Sequence, residues 1–292
     1  MLTSAPVDGF RLAYERAGSG PPVVLLHGWP GDHTDHERLA PLLSEACEVI
    51  VPDLRGFGAS DKHPEPPAEA YSAVAQARSV VGLIDELGLE APVIAGYDIG
   101  SRIAQAIARD MPEKVRALVV SPPLPGAGRR VLTADAMREF WYQAFHQLPL
   151  IEQILDGDRA AVRAYLAHFW RHWSGPDFEL TDARLDHLAD AYGAPGAMTA
   201  SVGWYRAGSG GVASALAETE PEERIATPTT VLWQEHDPLF PRAWADRLDA
   251  FFSDVELHEL DGIGHFTPLE APEAFAAAIH SRAARGGGAA RQ

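Results

Sequence analysis

The stretch Gly96-Tyr97-Asp98-Ile99-Gly100 follows the apolar run Val93-Ile94-Ala95 and leads into a segment with helical spacing. A strand, a sharp turn framed by glycines and a helix together lift a reactive side chain clear of a sheet, usually a serine in G-x-S-x-G. Here the central residue is a carboxylate. A serine suits attack on a carbonyl, whereas a carboxylate can displace a leaving group from saturated carbon and stay attached as an ester. Releasing that ester takes water and a general base, and Asp261-Gly262-Ile263-Gly264-His265 supplies a histidine, His265. Gln234-Glu235-His236-Asp237-Pro238 offers Asp237 to orient the ring, with Glu235 and His236 beside it as alternatives. At a helix N-terminus the dipole and free N–H groups favour an ionised, attacking Asp98. The same place also suits an aspartate that only caps the helix, and His265 could be an ordinary loop histidine.

Elements that would position these residues are legible as short continuous apolar runs: Val23–Leu26, Val49–Val51, Val93–Ala95, Leu118–Val120 and Val231–Trp233. Continuous rather than alternating runs predict strands buried on both faces, hence a mostly parallel sheet flanked by helices, an α/β fold. Helix-compatible spacing covers Tyr71–Leu87 and Ile99–Ala108. After Val120 the alternation stops: a Pro/Gly-rich loop opens a stretch without strand runs that continues to about Ala217, and a strand resumes at Thr229. The chain therefore divides into an α/β core of residues 1–124 and 224–284, an inserted helical cap of 125–223 and a flexible tail of 285–292. In an open parallel sheet ligands gather where strands end, which is where His27-Gly28-Trp29-Pro30, the Asp98 turn, Asp237 and His265 all fall.

A formal net charge of −17 and the lack of a basic stripe argue against nucleic acid as a partner. One cysteine, Cys47, rules out an intrachain disulfide and reads as a buried thiol. No apolar run approaches membrane-spanning length, and residues 1–9 lack the features of a signal peptide, so the expectation is a cytoplasmic protein with no membrane partner. The histidines at 27, 33 and 36 have no thiolate or carboxylate set at familiar ligand spacing, so neither a metal nor another cofactor is implied; His27 instead would shape the turn after the first strand.

Four motifs in order, His27-Gly28-Trp29-Pro30, Asp53-Leu54-Arg55-Gly56-Phe57-Gly58-Ala59-Ser60-Asp61, Gly96–Gly100 and Gly262–His265, resemble the α/β-hydrolase superfamily and, within it, the soluble epoxide hydrolases. The resemblance implies Asp98 as nucleophile, with Asp237 and His265 completing a triad in the order nucleophile, acid, histidine. It also implies an oxyanion hole from the backbone N–H groups of Trp29 and Ile99.

Which leaving group departs is a separate matter. A halide needs only N–H donors, but an epoxide oxygen leaves as an alkoxide and must receive a proton or a strong hydrogen bond. Phe140-Trp141-Tyr142-Gln143-Ala144-Phe145 and Gly203-Trp204-Tyr205-Arg206 resemble the cap segments that carry the two ring-opening tyrosines of epoxide hydrolases, which implies Tyr142 and Tyr205 in that role. Trp141, Phe145 and Trp204 are expected to line an apolar substrate pocket. The small-molecule substrate would then be an epoxide and the product a vicinal diol; a homodimer is possible. Haloalkane and fluoroacetate dehalogenases are also similar. Ile99 and Trp29 stand where the former usually carry halide donors, and Arg102 matches only the later of two arginines that hold carboxylate in the latter; an ordinary ion pair is expected of it. A third reading is a hydrolase-like protein that binds a small molecule without turnover.

Overall fold

The computed structural model describes residues 1–285. Eight strands, β1 (Leu2–Thr3), β2 (Ala13–Gly18), β3 (Pro22–Leu26), β4 (Glu48–Pro52), β5 (Val93–Gly96), β6 (Ala117–Val120), β7 (Thr229–Gln234) and β8 (Val255–Leu260), form one sheet. Their order is β1-β2-β4-β3-β5-β6-β7-β8. Antiparallel pairing is confined to β1 with β2 and β2 with β4; every pair from β4 to β8 is parallel.

The apolar runs became strands because helices cover both faces of the sheet. Val24 and Leu26 point into a cluster with Ile84, Ile103 and Ile107, whereas Val23 and Leu25 meet Leu39, Leu43, Phe275 and Ile279 on the other side. Burying each isoleucine or leucine fully contributes about 1.5–3 kcal/mol. Edge elements carry a weaker signal. No residue of strand β8 is fully buried and most of β2 is exposed, so neither needed a continuous apolar run.

Register fixes where the chemistry can occur. Gly96 at the end of β5 pairs with Leu26 on one side and Val120 on the other, so the chain leaves all three strands at one level. The helix Ile99–Asp110 follows at once, burying Ile99, Ile103 and Ile107 at four-residue spacing, and ends at Met111 where Pro112 cannot continue it.

Between β6 and β7 the chain forms helices and no strand, from Ala134–Glu139 to Gly211–Ala217. They are tied over the strand ends: Trp170 Nε1 donates to Pro30 O at 3.0 Å, Tyr192 Oη to Gly31 O at 2.7 Å, and His265 N to Trp173 O at 2.7 Å. The Trp170 and Phe266 rings stack at 3.7 Å. Gly264 is a glycine for this reason, since a Cβ there would lie 2.2 Å from Gly175 N.

Cys47 is buried, with Sγ 3.8 Å from His280 Nδ1. Among the described residues no helix is long and apolar enough to cross a membrane. The tail expected from 285 onward needs one correction: Arg285 is the last residue of the helix Pro272–Arg285, and residues 286–292 lie outside the described residues.

The turn after β5 demands small residues. A Cβ on Gly100 would sit 2.3 Å from Leu26 O and 2.6 Å from His27 O, both of them backbone atoms of the neighbouring strand exit. Gly100→Ala is therefore predicted to destabilise the fold by about 1–3 kcal/mol, read as a lower urea midpoint. An unchanged midpoint would mean that the strand exit and the helix are not held in this contact.

Candidate active site

Asp98 follows β5 with φ +49° and ψ −124°, a conformation that a side-chain-bearing residue adopts at a cost of about 1–3 kcal/mol. The strain has an identifiable result. Although Asp98 stands at the N-cap position, its side chain makes no capping bond to the helix Ile99–Asp110. Its Oδ1 instead accepts from Trp29 N at 2.7 Å, and its Oδ2 faces His265 Nε2 at 3.5 Å, an ion-pair separation without hydrogen-bond geometry. The simple-cap alternative is thus excluded by geometry.

On its other side His265 Nδ1 bonds Asp237 Oδ2 at 2.9 Å. Leu239 N holds the second oxygen of Asp237 at 2.8 Å and Gln234 Nε2 supports the first at 3.4 Å. Glu235 and His236, the neighbours that could have taken this role, turn outward and face each other at 3.6 Å. His265 is completely buried. Burial by itself would push its imidazole down, but Asp237 and Asp98 on its two sides outweigh that and hold it at about 10. The resting ring is an imidazolium with Nε2 aimed at the Asp98 carboxylate.

The first strand exit is built to deliver the Trp29 amide. His27 Nε2 accepts from Leu54 N at 3.0 Å, which leaves Nδ1–H to donate to Gly28 O at 2.9 Å. Burial lowers the pKa of this ring, favouring the neutral form that such bonding needs. Beneath it Tyr97, beside Asp98, donates its hydroxyl to Asp35 Oδ2 at 2.6 Å. Asp35 has no solvent exposure, and burial drives its carboxyl up to about 8. Sequence reasoning missed Asp35 and Tyr97, because only the folded chain brings residue 35 under residue 97.

Tyr142 and Tyr205 come to the same cleft from two separate helices, Trp141–Phe145 and Ala197–Arg206. Asp98, Ile99, Arg102, Phe140, Gln143 and Trp204 complete most of its wall. Both phenols are buried, and desolvation together with the Asp98 charge pushes each well above the ordinary tyrosine value, so they are neutral donors. The buried Trp29 indole is their platform: it lies parallel to the Tyr142 ring at 5.4 Å and edge-on to Tyr205 at 5.7 Å.

Of the three aromatics expected to line the pocket, Trp204 does so and two do not. Trp141 is 41% exposed and stacks on Phe169 at 5.9 Å, and Phe145 packs against Tyr165. The reason is helical phase. Residues 141 and 145 share one face of a short helix, and turning Tyr142 inward turns that face outward. Arg102 also differs from expectation. No ion pair or hydrogen bond forms at its side chain among the described residues; its guanidinium lies between the Asp98 cleft and a neighbouring cavity, and burial lowers it to about 10.

Glu270 was likewise not singled out in the sequence. Its Oε2 accepts from Gly264 N and Gly175 N, each at 2.8 Å, and Oε1 from Phe266 N at 3.0 Å. One carboxylate therefore pins the His265 loop to the inserted helices. Asp32, His33 and Asp53 gather closely enough to suggest a metal, but their atoms are committed elsewhere. Asp53 accepts from His33 N, His33 Nδ1 and Ala59 N, while Asp32 takes Thr34 and His187. Burial opposes charge on His33, yet the Asp53 bond and charge prevail and hold it near 9. A protonated ring has no lone pair for a cation at that nitrogen.

With this geometry in hand, the comparisons are decisive for the fold. Residues 21–272 match the family described as alpha/beta hydrolase fold. The chain belongs to that family. It is 27% identical over 276 residues to a soluble epoxide hydrolase from Corynebacterium sp. (strain C12), covering 92% of each. A fluoroacetate dehalogenase from Burkholderia sp. is 31% identical over 195 residues, 65% of this chain and 64% of that protein. The solved structure of epoxide hydrolase CorEH superposes with a TM-score of 0.79 at 25% identity, over 96% of this chain and 97% of that one.

The charge state of His265 has a measurable signature. Below about pH 6.5 the ring is protonated both folded and unfolded, so its pairing counts fully toward stability; above that value the unfolded ring loses its proton first, and the benefit is gone as pH rises through about 10. The difference in melting temperature between the natural protein and His265→Gln is predicted to shrink steadily over that window. A difference that is flat with pH would show a neutral resting ring.

Proposed function

We propose that this α/β hydrolase adds water to epoxides through a covalent ester on Asp98, giving vicinal diols. The observation that carries the reading is that two neutral, buried phenols, Tyr142 and Tyr205, line the same cleft as the Asp98 carboxylate. An ester-cleaving enzyme needs no such pair, whereas an epoxide oxygen cannot leave without a proton donor.

In the first step an Asp98 oxygen bonds to a ring carbon, the carbon–oxygen bond breaks, and the departing oxygen takes the proton of one phenol. The other phenol hydrogen-bonds to the reacting oxygens. Esterification removes the negative charge on Asp98, and with it one of the two forces that keep His265 protonated. The imidazolium can then return its proton to the phenolate. Neutral His265, oriented by Asp237, takes a proton from water as that water attacks the ester carbonyl. The Trp29 and Ile99 N–H groups hold the oxyanion. Collapse transfers the remaining proton to the leaving alkoxide, and Asp98 and protonated His265 are restored with one oxygen from water now in the carboxylate. The cleft is tight, with room for about one water.

One observation favours a second reading, removal of halide from a haloacid: Arg102 is a half-buried cation on the cleft wall whose side chain forms no ion pair among the described residues, and a substrate carboxylate would pair with it. Styrene oxide and fluoroacetate separate the two. Diol without fluoride supports the epoxide reading; fluoride without diol replaces it, and neither product from a broad panel favours a binding protein.

Asp98→Ala is predicted to abolish diol formation, and His265→Gln to accumulate an enzyme heavier by the mass of the epoxide. One turnover in heavy-oxygen water should label the Asp98 carboxylate; diol formed without that label would falsify the covalent route. Tyr142→Phe and Tyr205→Phe are each predicted to slow ester formation by at least about 10-fold. Normal rates in the double variant would remove both phenols from the mechanism.

A further inference from the structure

Gln143 follows Tyr142 in the short helix Trp141–Phe145, and its side chain is held at both ends. Oε1 accepts from Val212 N at 3.0 Å, and Nε2 donates to the Tyr142 hydroxyl oxygen at 3.2 Å. The first bond fixes the second. A backbone N–H can only donate, so the oxygen of the carboxamide must face Val212 and the NH2 group must face Tyr142. Gly210 packs close to the same oxygen: a Cβ there would lie 2.8 Å from it. Gln143 is itself buried and lines the Asp98 cleft.

A phenol has one hydrogen to give. When its oxygen accepts an N–H, that hydrogen cannot be directed back along the same line, and it stays available for another acceptor. We propose that Gln143 is a positioning residue that aims the Tyr142 hydroxyl hydrogen into the cleft, toward the ring oxygen of a bound epoxide. The same N–H then faces the phenolate oxygen left behind. As the epoxide carbon–oxygen bond breaks, its electron pair takes the Tyr142 proton, and the negative charge that appears on the phenolate is met by a donor already in place. The carboxamide end also lowers the cost of ionising Tyr142, against the larger opposing effects of burial and the Asp98 charge. The inference rests on the epoxide reading and adds a residue to it.

Gln143→Glu is the discriminating change. The new carboxylate keeps an acceptor for Val212 N but presents a second acceptor to Tyr142, which would draw the phenol hydrogen out of the cleft. In single-turnover reactions with styrene oxide, quenched and read by mass spectrometry, ester formation is expected to slow by about 10-fold or more, with ester hydrolysis by His265 unchanged. Gln143→Met, of similar length with neither polar end, should slow ester formation by about 3- to 10-fold. Placed in a Tyr142→Phe background, neither change should slow it further. A full effect in that background, an equal slowing of hydrolysis, or an unchanged rate in both single variants would overturn the role of Gln143. A natural protein that forms no adduct with any epoxide would overturn the underlying reading instead, a result distinct from the other three.

Discussion

A buried negative charge on a bent backbone is the constraint that organises this molecule. Asp98 has a left-handed φ, is only 6% exposed, and does not satisfy itself by capping the helix that follows. A carboxylate in that position must be met from outside its own segment. Two donors meet it, the Trp29 amide from the first strand exit and the His265 imidazolium from the last. Each comes from a distant part of the chain, and much of the structure is a means of bringing both to one place. Parallel register levels the exits of β3, β5 and β6. The His27 ring locks the turn that presents Trp29, and Asp237 locks the ring that presents Nε2.

The inserted helices do more than cover the cleft. The loop that carries His265 is held to one short segment of the insertion: its own amide donates to Trp173 O, and the Glu270 carboxylate joins Gly264 to Gly175. Arg184 extends from the helix Asp182–Tyr192 toward Asp35, which in turn accepts the hydroxyl of Tyr97, the residue beside Asp98. Motion of the helices would therefore be felt at both donors of Asp98. The same helices bring in Tyr142 and Tyr205, whose phenols remain neutral partly because they face that one negative charge. A covalent bond to Asp98 would cancel the charge, and the proton affinities of His265 and both tyrosines would shift together. The carboxylate, the imidazole and the two phenols are thus electrostatically coupled through one charge.

Much of this was legible in the chain itself. Continuous apolar runs marked strands β3 to β7 because those strands are covered on both faces, and the glycine frame around Asp98 marked the turn because a side chain there would strike backbone. The order Asp98, Asp237, His265 and the paired tyrosine segments were equally visible. Strands β1, β2 and β8, at or next to the sheet edges, were not, since half-exposed backbone pairing imposes little on side-chain type.

What sequence determined by itself was therefore local: which residues can react, which turns need glycine, which strands lie inside. Tertiary structure alone decided the matters that depend on phase and on long-range approach. It rotated Trp141 and Phe145 away while turning Tyr142 and Gln143 inward, left Arg102 without an ion pair among the described residues, and set Asp35 beneath Tyr97 and Glu270 across two glycine amides. The physical reason is that a helix of five residues has no pattern long enough to fix its own rotation. A hydrogen bond between residues tens of positions apart leaves no spacing in the chain by which it could be read.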